Sequence, residues 1–374
     1  MAHAYTPGLR VTGFATVRRE RRLPLKGEVL VQKGQSVDAQ TVVARTELPG
    51  NVQTLNLAAK LSIDPARAEM ALTRPVGSKV AKGEIVAAAK SLFGLVTHTV
   101  PSPVDGTLES VSRISGQLIL REPPIPVEVN AFVRGVVAEI LPSEGVVVEA
   151  RGAFLQGIFG VGGECWGEIV IAAAGPGEEL SASRLSAEHR GKVVVGGSYV
   201  SHATLVRARE LGVAAVVVGG FDDRDLRELL GRDLGVAITG SEDLGFTLIL
   251  TEGFGRIRMA ERTWTLLGAQ KGRLASVSGA TQIRAGVMRP EILIPGESAM
   301  PAQAEPAPGA GLEVGSLLRV IREPHFGRIG RVVELPSELR ELDTEARVRV
   351  VVVEFNDDGA TTVVPRANVE LIES

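Results

Sequence analysis

The sequence predicts a multidomain, mainly β protein with a central α/β domain. Its 374 residues include 43 glycines and only 4% aromatic residues, a composition that favours short strands and tight turns over long helices. Three patterns support this prediction: a turn-and-strand motif that occurs twice, alternating strand and helix patterns in residues 191–295, and a valine-rich final segment after a stretch rich in proline and alanine. A chain of this length is expected to divide into two to four domains.

Composition and charge argue against several classes of protein. With 44% hydrophobic residues and a formal net charge of −3, the chain is an ordinary globular protein without a global attraction for nucleic acid or anionic membrane. The one cysteine, Cys165, excludes an intramolecular disulfide, and five dispersed histidines argue against a zinc site. No stretch approaches the roughly 20 apolar residues of a membrane span, so we expect a cytoplasmic protein without a membrane partner.

Residues 1–23 are predicted to form an N-terminal arm, and residues 24–190 a β domain built on the duplicated motif. Each copy has a turn glycine, then a valine, then two aliphatic residues and an alanine. The two copies are Gly34, Val37, Val42, Val43, Ala44 and Gly77, Val80, Ile85, Val86, Ala87. The segment between them predicts short helical turns broken at Pro65.

A second spacing echo follows the duplicated motif. The hairpin pattern that begins at Gly106 returns 29 residues later at Gly135. Because the two hairpins have a similar build and a proline-rich connector, we expect them to pair in one sheet layer.

Three segments of this region, VQKGQSVDAQTVVA, RPVGSKVAKGEIVAAA and VPSPVDGTLESV, resemble the barrel-sandwich hybrid fold of biotinyl and lipoyl carrier domains. Modified members carry the cofactor on a lysine at the tip of the hairpin between the half-repeats, flanked by methionine or by acidic and small residues. Here Lys33 and Lys82 fall in turns inside the repeats, and Lys60 and Lys79 lack those flanks. The resemblance therefore implies an unmodified structural member of the fold, with no cofactor.

Residues 191–295 predict a small α/β layer with a largely parallel sheet, because strand patterns such as VAAVVVGG alternate with helix patterns such as SHATLVRAREL. The segment GGSYVSHATLVRARELG resembles the helix start of the swivelling phosphohistidine domain in phosphoenolpyruvate-utilising enzymes. That resemblance implies a phosphoryl carrier role for His202, beside the amide groups of a helix N-terminus. In the alternative interpretation, Ser201 caps the helix and His202 is an ordinary residue of its first turn.

Glycines and acidic residues follow the predicted strands and should gather at the carboxyl edge of the sheet, where open α/β sheets bind ligands. The candidate cleft residues are Gly197, Gly220, Asp222 and Glu252. The acidic residues make this edge unfavourable for phosphate. A divalent cation is an alternative, but helix capping and turns explain the aspartates more simply, so we predict no metal site. Cys165 is expected to be a packed hydrophobic residue rather than a nucleophile.

Residues 296–311 are predicted to be a flexible linker, and residues 312–374 a small SH3-like barrel. The segments VGSLLRVIREPHFGRIGRVVEL and VVVEFNDDGATTVVPRANVELI resemble a KOW module of the kind found in ribosomal proteins and transcription elongation factors. The resemblance implies binding of RNA, ribosome or polymerase through the turn around the Phe-Gly step. The candidate partner-binding residues are Arg322, His325, Phe326, Arg328 and Arg331.

The charge of the final segment weakens the case for RNA. Residues 312–374 hold 8 arginines and 12 acidic residues, a net of −4, so a protein partner is favoured at least as strongly. We therefore predict a cytoplasmic, non-catalytic adaptor or scaffold with a KOW recruitment module. A ribosome- or transcription-associated RNA-binding factor is the alternative, and a phosphohistidine enzyme that uses His202 is the third hypothesis. Nothing in the sequence indicates readout of a DNA sequence.

Overall fold

The computed structural model describes residues 9–91, 96–222, 225, 228, 244–281, 288–296, 312–320, 324–325, 327–341, 347–356 and 358–371. Over these residues the protein is mainly β, with several sheets, which confirms the mainly β part of the predicted class. No helix of the described residues is long and apolar enough to cross a membrane. Of the predicted linker 296–311, the structure describes only Gly296. The candidate residues Arg322 and Phe326 also lie outside the described residues.

Residues 9–156 form thirteen strands and one short helix. The strands are Val11–Arg22 (β1), Glu28–Val29 (β2), Ser36–Val37 (β3), Val42–Leu48 (β4), Val52–Asn56 (β5), Lys79–Val80 (β6), Ile85–Ser91 (β7), Val96–Pro101 (β8), Gly106–Val111 (β9), Gln117–Arg121 (β10), Ile125–Asn130 (β11), Gly135–Leu141 (β12) and Gly145–Gln156 (β13). The helix is Leu57–Leu61 (α1), and 3-10 turns follow it at Pro65–Arg67 and Glu69–Ala71. The predicted helical turns are therefore present, and Pro65 begins the second of them.

The duplicated motif produces the same backbone arrangement twice. Gly34 and Gly77 both adopt a left-handed conformation, with φ of 84° and 92°, which a residue with a side chain rarely adopts. The Gly34 amide donates to the Val137 carbonyl, and the Gly77 amide donates to the Leu108 carbonyl, each at 2.7 Å. Copy one then pairs with the start of β12, and copy two pairs with the start of β9. The two hairpins thus play equivalent roles, each closing one copy of the motif.

The expectation that these two hairpins pair in one layer is wrong. The hairpin β9–β10 lies in a four-stranded sheet of order β5-β10-β9-β6, whereas β12 and β13 belong to the largest sheet. Each hairpin packs over its own apolar cluster, centred on Leu108 and Leu118 in one case and on Val137 and Val148 in the other. Two separate cores explain why hairpins of similar sequence do not share a sheet. Two smaller sheets are also present. One consists of β11, β4 and β2, and the other consists of β7 and β8.

Residues 157–296 contribute nine strands and two described helices. The strands are Phe159–Val161 (β14), Glu164–Ile171 (β15), Glu179–Leu180 (β16), Val193–Val195 (β17), Tyr199–Val200 (β18), Ala215–Phe221 (β19), Thr247–Phe254 (β20), Leu274–Ser278 (β21) and Glu291–Pro295 (β22). The helices are His202–Leu211 (α2) and Glu261–Ala269 (α3). Strands β15, β17, β19 and β20 are parallel neighbours, as the alternating pattern predicts.

One continuous sheet unites these strands with β1, β3, β12 and β13. Its order is β14-β20-β19-β17-β15-β21-β22-β13-β12-β3, and β1 pairs with the other edge of β13. Residues 11–22, within the predicted N-terminal arm, are therefore a full strand of this sheet. The sheet crosses position 190 without interruption, because β13 pairs with β22 from Gly152↔Pro295 to Gln156↔Glu291.

Residues 312–371 form a separate six-stranded sheet. Its strands are Leu317–Val320 (β23), Ile329–Glu334 (β24), Leu339–Glu341 (β25), Arg347–Phe355 (β26), Thr361–Pro365 (β27) and Val369–Leu371 (β28). The order is β25-β26-β24-β23-β28, with β27 on the other side of β26. Its apolar cluster, which includes Leu318, Val353 and Phe355, contains only residues of this sheet and its flanks. We call residues 312–371 the C-terminal module, and the sheets of β1–β22 with their helices the platform.

Candidate functional site

The predicted cleft residues do lie together, at the carboxyl edge of the parallel strands. Gly197 follows β17, Gly220 is in the last residues of β19, and Glu252 is near the end of β20. Asp222 comes directly after β19. These residues lie at one edge because parallel strands bring their carboxyl ends together.

The glycines at this edge serve close backbone packing. A Cβ atom at Gly197 would lie well under 3.0 Å from the carbonyl oxygens of Gly175 and Glu178, and one at Gly220 would lie as close to the Gly255 carbonyl oxygen. A side chain cannot fit where backbone already occupies the space. At Gly197 and Gly220, therefore, the space next to the strand ends is filled by neighbouring loops rather than open to a ligand.

A partly buried tyrosine lies among charged groups at the same edge. Tyr199 is only 7% exposed, and the guanidinium of Arg256 lies 4.1 Å from its ring centroid. Arg256 in turn donates to Glu179 at 2.6 Å, and this hydrogen bond raises the pKa of the arginine. Burial, followed by the charges of Asp225 and Asp222, raises the pKa of Tyr199. The phenol therefore stays protonated at neutral pH and contributes a stacking face, with no nucleophilic character.

His202 begins α2, as both interpretations of the sequence require. The Ser201 hydroxyl caps this helix, accepting from the Thr204 amide at 3.4 Å. The His202 amide donates to a carboxylate oxygen of Asp225 at 3.3 Å. A carboxylate therefore lies at the helix N-terminus, and its charge would repel a phosphoryl group held there. The geometry matches the capping interpretation of Ser201.

Glu252 does not face an open cleft. The residue is 6% exposed, and its carboxylate is shared between two elements. One oxygen accepts from the Ala260 amide at 2.9 Å, directly before α3, and the other accepts from Arg319 of the C-terminal module at 3.0 Å. Glu252 therefore links the platform to the C-terminal module.

Four buried charges meet at this contact. The Arg319 guanidinium also forms an ion pair with Glu370 at 2.8 Å. Glu370 forms a second ion pair with Arg289 at 2.7 Å. The side chains of Arg319, Glu252, Glu370 and Arg289 are 3%, 8%, 2% and 9% exposed. Two arginines and two glutamates balance in charge, but Arg319 Nε and Arg289 Nη1 are buried without a hydrogen-bond partner. We call these four residues the ionic latch.

The sequence analysis missed the latch, although a signal was present. Arg319 stands between Leu318 and Val320, and Glu370 between Val369 and Leu371. A single charge inside a short apolar strand can point inward when it has a buried partner. What the sequence does not show is which carboxylate, 51 or 67 residues away, the arginine meets.

A backbone contact also joins the C-terminal module to the platform. The position for a Cβ at Gly253 is 2.5 Å from the Gly327 carbonyl oxygen, and a Cβ at Gly327 would lie 2.6 Å from a ring carbon of Phe254. Gly327 has φ of 80°, so both the close approach and the turn require glycine. The Phe-Gly turn predicted to bind a partner therefore rests on the end of β20.

The described residues of the predicted recruitment turn are engaged within the module. The His325 ring lies 5.2 Å from the Phe355 ring, and the Arg328 guanidinium lies 3.7 Å from the same ring centroid. Arg328 also pairs with Asp358 at 2.7 Å, and Arg331 donates to the Gly315 carbonyl at 3.3 Å. These residues lie in one region of the module, and the charge of Arg328 is paired with that of Asp358.

The remaining candidates give no reactive centre among the described residues. Burial raises the pKa of the Cys165 thiol to about 11, so it stays a protonated, packed side chain at neutral pH. Over the ranges that the structure describes, no group of three or more histidine, cysteine, aspartate or glutamate side chains could hold a metal ion.

No protein-family model matches the chain, and no curated protein sequence is significantly similar to it. The resemblances of its segments to carrier domains, to the phosphohistidine domain and to the KOW module therefore stay predictions.

Proposed function

We propose that the protein is a cytoplasmic, non-catalytic adaptor in which a rigid platform carries a C-terminal recruitment module. In this proposal residues 24–190 form an unmodified barrel-sandwich hybrid and the C-terminal module is an SH3-like KOW barrel. The recruited partner is a protein.

The observation that carries the proposal is the closure of the carboxyl edge by the chain itself. Open α/β sheets bind small ligands at this edge. Here Glu252 is bonded to the Ala260 amide and to Arg319, and Gly253 lies against the backbone of Gly327. In an enzyme, the carboxyl end of β20 would carry catalytic groups. Here it contacts another part of the chain instead.

The continuous sheet supports the role of the platform. Strand β13 pairs with β1 along nearly its whole length, with β12 through its first half and with β22 through its second half. Hydrogen-bonded strands therefore connect β1, β12 and β13 to the α/β layer without a hinge loop between them. A rigid body of this kind suits a protein that holds partners at fixed positions.

Repeated geometry supports the finer fold assignments. The equivalent turns at Gly34 and Gly77, each closed by its own hairpin, are what two interlocked β-halves would require. In the C-terminal module, Val369 and Glu370 of the motif ending return beside Val320 and Arg319 of the first strand. Such pairing of the last strand with the first is expected of a small barrel.

Electrostatics favour a protein partner over RNA. Arg328 already pairs with Asp358, so a phosphate would have to displace a carboxylate at 2.7 Å. The net charge of −4 over residues 312–374, from 8 arginines and 12 acidic residues, adds a repulsive background for RNA.

Quantitative affinity purification of the full-length chain from its native host tests the proposal. After nuclease treatment we expect the same host protein to be recovered in near-stoichiometric amount. The variant Arg328→Glu, which changes the centre of the recruitment surface, should recover less than about a tenth of that amount. The control is Arg349→Glu, which makes the same charge change at an exposed position of β26. Recovery that disappears with nuclease treatment would contradict the adaptor proposal and support the RNA-binding alternative.

A further inference from the structure

The C-terminal module has the properties of a unit that folds on its own. Its buried cluster includes Leu318, Val320, Val351, Val353 and Phe355. None of the apolar clusters formed by the described residues contains residues of both the module and the platform. The module therefore does not need the platform to complete its core.

The contact between the module and the platform is polar. The described residues join through the ionic latch and through the apposition of Gly327 with Gly253 and Phe254. Interfaces between domains that separate reversibly are more polar than permanent ones. The shared apolar surface that would make this docking permanent is absent from the described clusters.

The energetics of the latch also favour reversibility. Burying four charges removes their hydration, and the attraction between them offsets this cost only when all hydrogen-bonding atoms are satisfied. Arg319 Nε and Arg289 Nη1 are not satisfied. When the module separates, water can hydrate these two groups, which compensates for part of the lost attraction. The pair Arg319 and Glu370 stays within the module, because these residues are cross-strand neighbours in β23 and β28.

Docking covers Gly327 in the turn assigned to recruitment. Gly327 is in the turn that contains Pro324 and Arg328, and this turn rests on Phe254 and Gly253 of β20. A partner approaching the turn from the platform side would overlap the end of β20. Docking and recruitment therefore compete for one surface.

We infer that the observed arrangement is the autoinhibited state of the adaptor, in which the ionic latch keeps the recruitment turn against the platform. This inference rests on the proposed function, since it assumes that the turn recruits a protein. Separation of the module exposes the turn and raises the affinity for the partner by the reciprocal of the open fraction.

The test uses the full-length double variant Glu252→Gln with Arg289→Gln. Both substitutions lie on the platform and remove one negative and one positive charge, so the net charge is unchanged. They leave the Arg319–Glu370 pair and every residue of the module intact. The side-chain amide oxygen that Glu252→Gln introduces can still accept from the Ala260 amide, which protects the start of α3. The matched control is Glu179→Gln, which removes an exposed ion pair with Arg256 from the same edge of the platform.

Hydrogen exchange reports docking independently of any partner. In the double variant we expect the amides of residues 327–331 and 251–255 to exchange at least about tenfold faster than in the wild type, because a broken buried pair opens the contact. Amides of β19 and of the centre of β26 should keep wild-type rates, which shows that both folds persist. Should the double variant lose its fold, the single Glu252→Gln variant provides the same comparison. Unchanged exchange at the turn in a folded variant would contradict the inference that the ionic latch holds the module against the platform.

Recovery of the host protein reports autoinhibition. With nuclease present, the double variant should retain at least about tenfold more partner than the wild type at limiting concentration, and the control should match the wild type. Adding His325→Ala to the double variant should reverse this gain, since His325 lies in the turn. Faster exchange with equal recovery would overturn autoinhibition while the adaptor function stands. Recovery by none of the variants would instead reject the adaptor function itself.

Discussion

The closure of the carboxyl edge by backbone makes a specific prediction for Gly220. A Cβ at this position would lie well under 3.0 Å from the Gly255 carbonyl oxygen, and the next nearest atom, the Gly253 carbonyl oxygen, is at 3.0 Å. Both obstacles are backbone atoms of the same connected segment, so neither can rotate away as a side chain could. Gly220→Ala must therefore displace the loop that follows β20. Overpacking of this kind costs about 1–3 kcal/mol of unfolding free energy.

Gly175→Ala is the matched control. Gly175 lies in a loop of the same edge, and a Cβ there would meet nothing within 4 Å. This control is expected to change the unfolding free energy by less than about 0.5 kcal/mol.

Urea unfolding followed by circular dichroism measures both variants against the wild type. We expect the midpoint of the platform transition to fall for Gly220→Ala and to stay unchanged for Gly175→Ala, with a similar slope in each case. Equal stability of Gly220→Ala and the wild type would refute the packing argument. The glycine would then have room beside it, and a ligand at this edge would again be an acceptable interpretation.

Three further predictions concern modification, RNA and pH. Intact mass of the protein from its native host should show no biotinyl or lipoyl group on any of the eight lysines, because none combines the hairpin position with the required flanks; an added carrier group would contradict this. Fluorescence anisotropy with a labelled single-stranded RNA should show weak binding at physiological salt. If the barrel instead binds RNA with submicromolar affinity, the triple substitution of Arg322, Arg328 and Arg331 should abolish the binding. The logarithm of the affinity should then fall with the logarithm of the salt concentration at a slope of about −2. Finally, the Cys165 thiol has a pKa of about 11 in the fold against 9.0 when unperturbed. The unfolded chain thus loses this proton first, and the unfolding free energy should fall by up to about 3 kcal/mol between pH 9 and 11, a dependence that Cys165→Ala should reduce.

Local patterns were sufficient to predict much of the fold. The left-handed glycines Gly34 and Gly77 are visible as a repeat because each turn needs the same residue at the same place. Strands β17 and β19 and helix α2 follow from short apolar runs, a capping serine and a terminal glycine. Each of these signals depends on residues that are neighbours in sequence.

The pairing of distant strands could not be predicted in the same way. The charged end of β1, from Arg18 to Arg22, has the composition of a solvated arm, but it is an edge strand whose arginines pair with glutamates far away in the sequence. Arg21, for example, bonds Glu164 at 2.7 Å from a position 143 residues away. No local pattern contains that information. The same limit hid the pairing of Arg319 with Glu252.

The candidate site illustrates why the position of a residue does not determine its chemical role. The sequence predicts that Gly197, Gly220, Asp222 and Glu252 gather at one edge, and they do. The inference from that edge to a ligand cleft assumes that glycine marks space for a ligand and that an acidic residue faces solvent. At Gly220 the space is filled by backbone, and Glu252 is buried against Arg319. Glycine and buried carboxylates serve close contact within a chain as readily as contact with a ligand, and only the identity of the atom opposite them distinguishes the two uses.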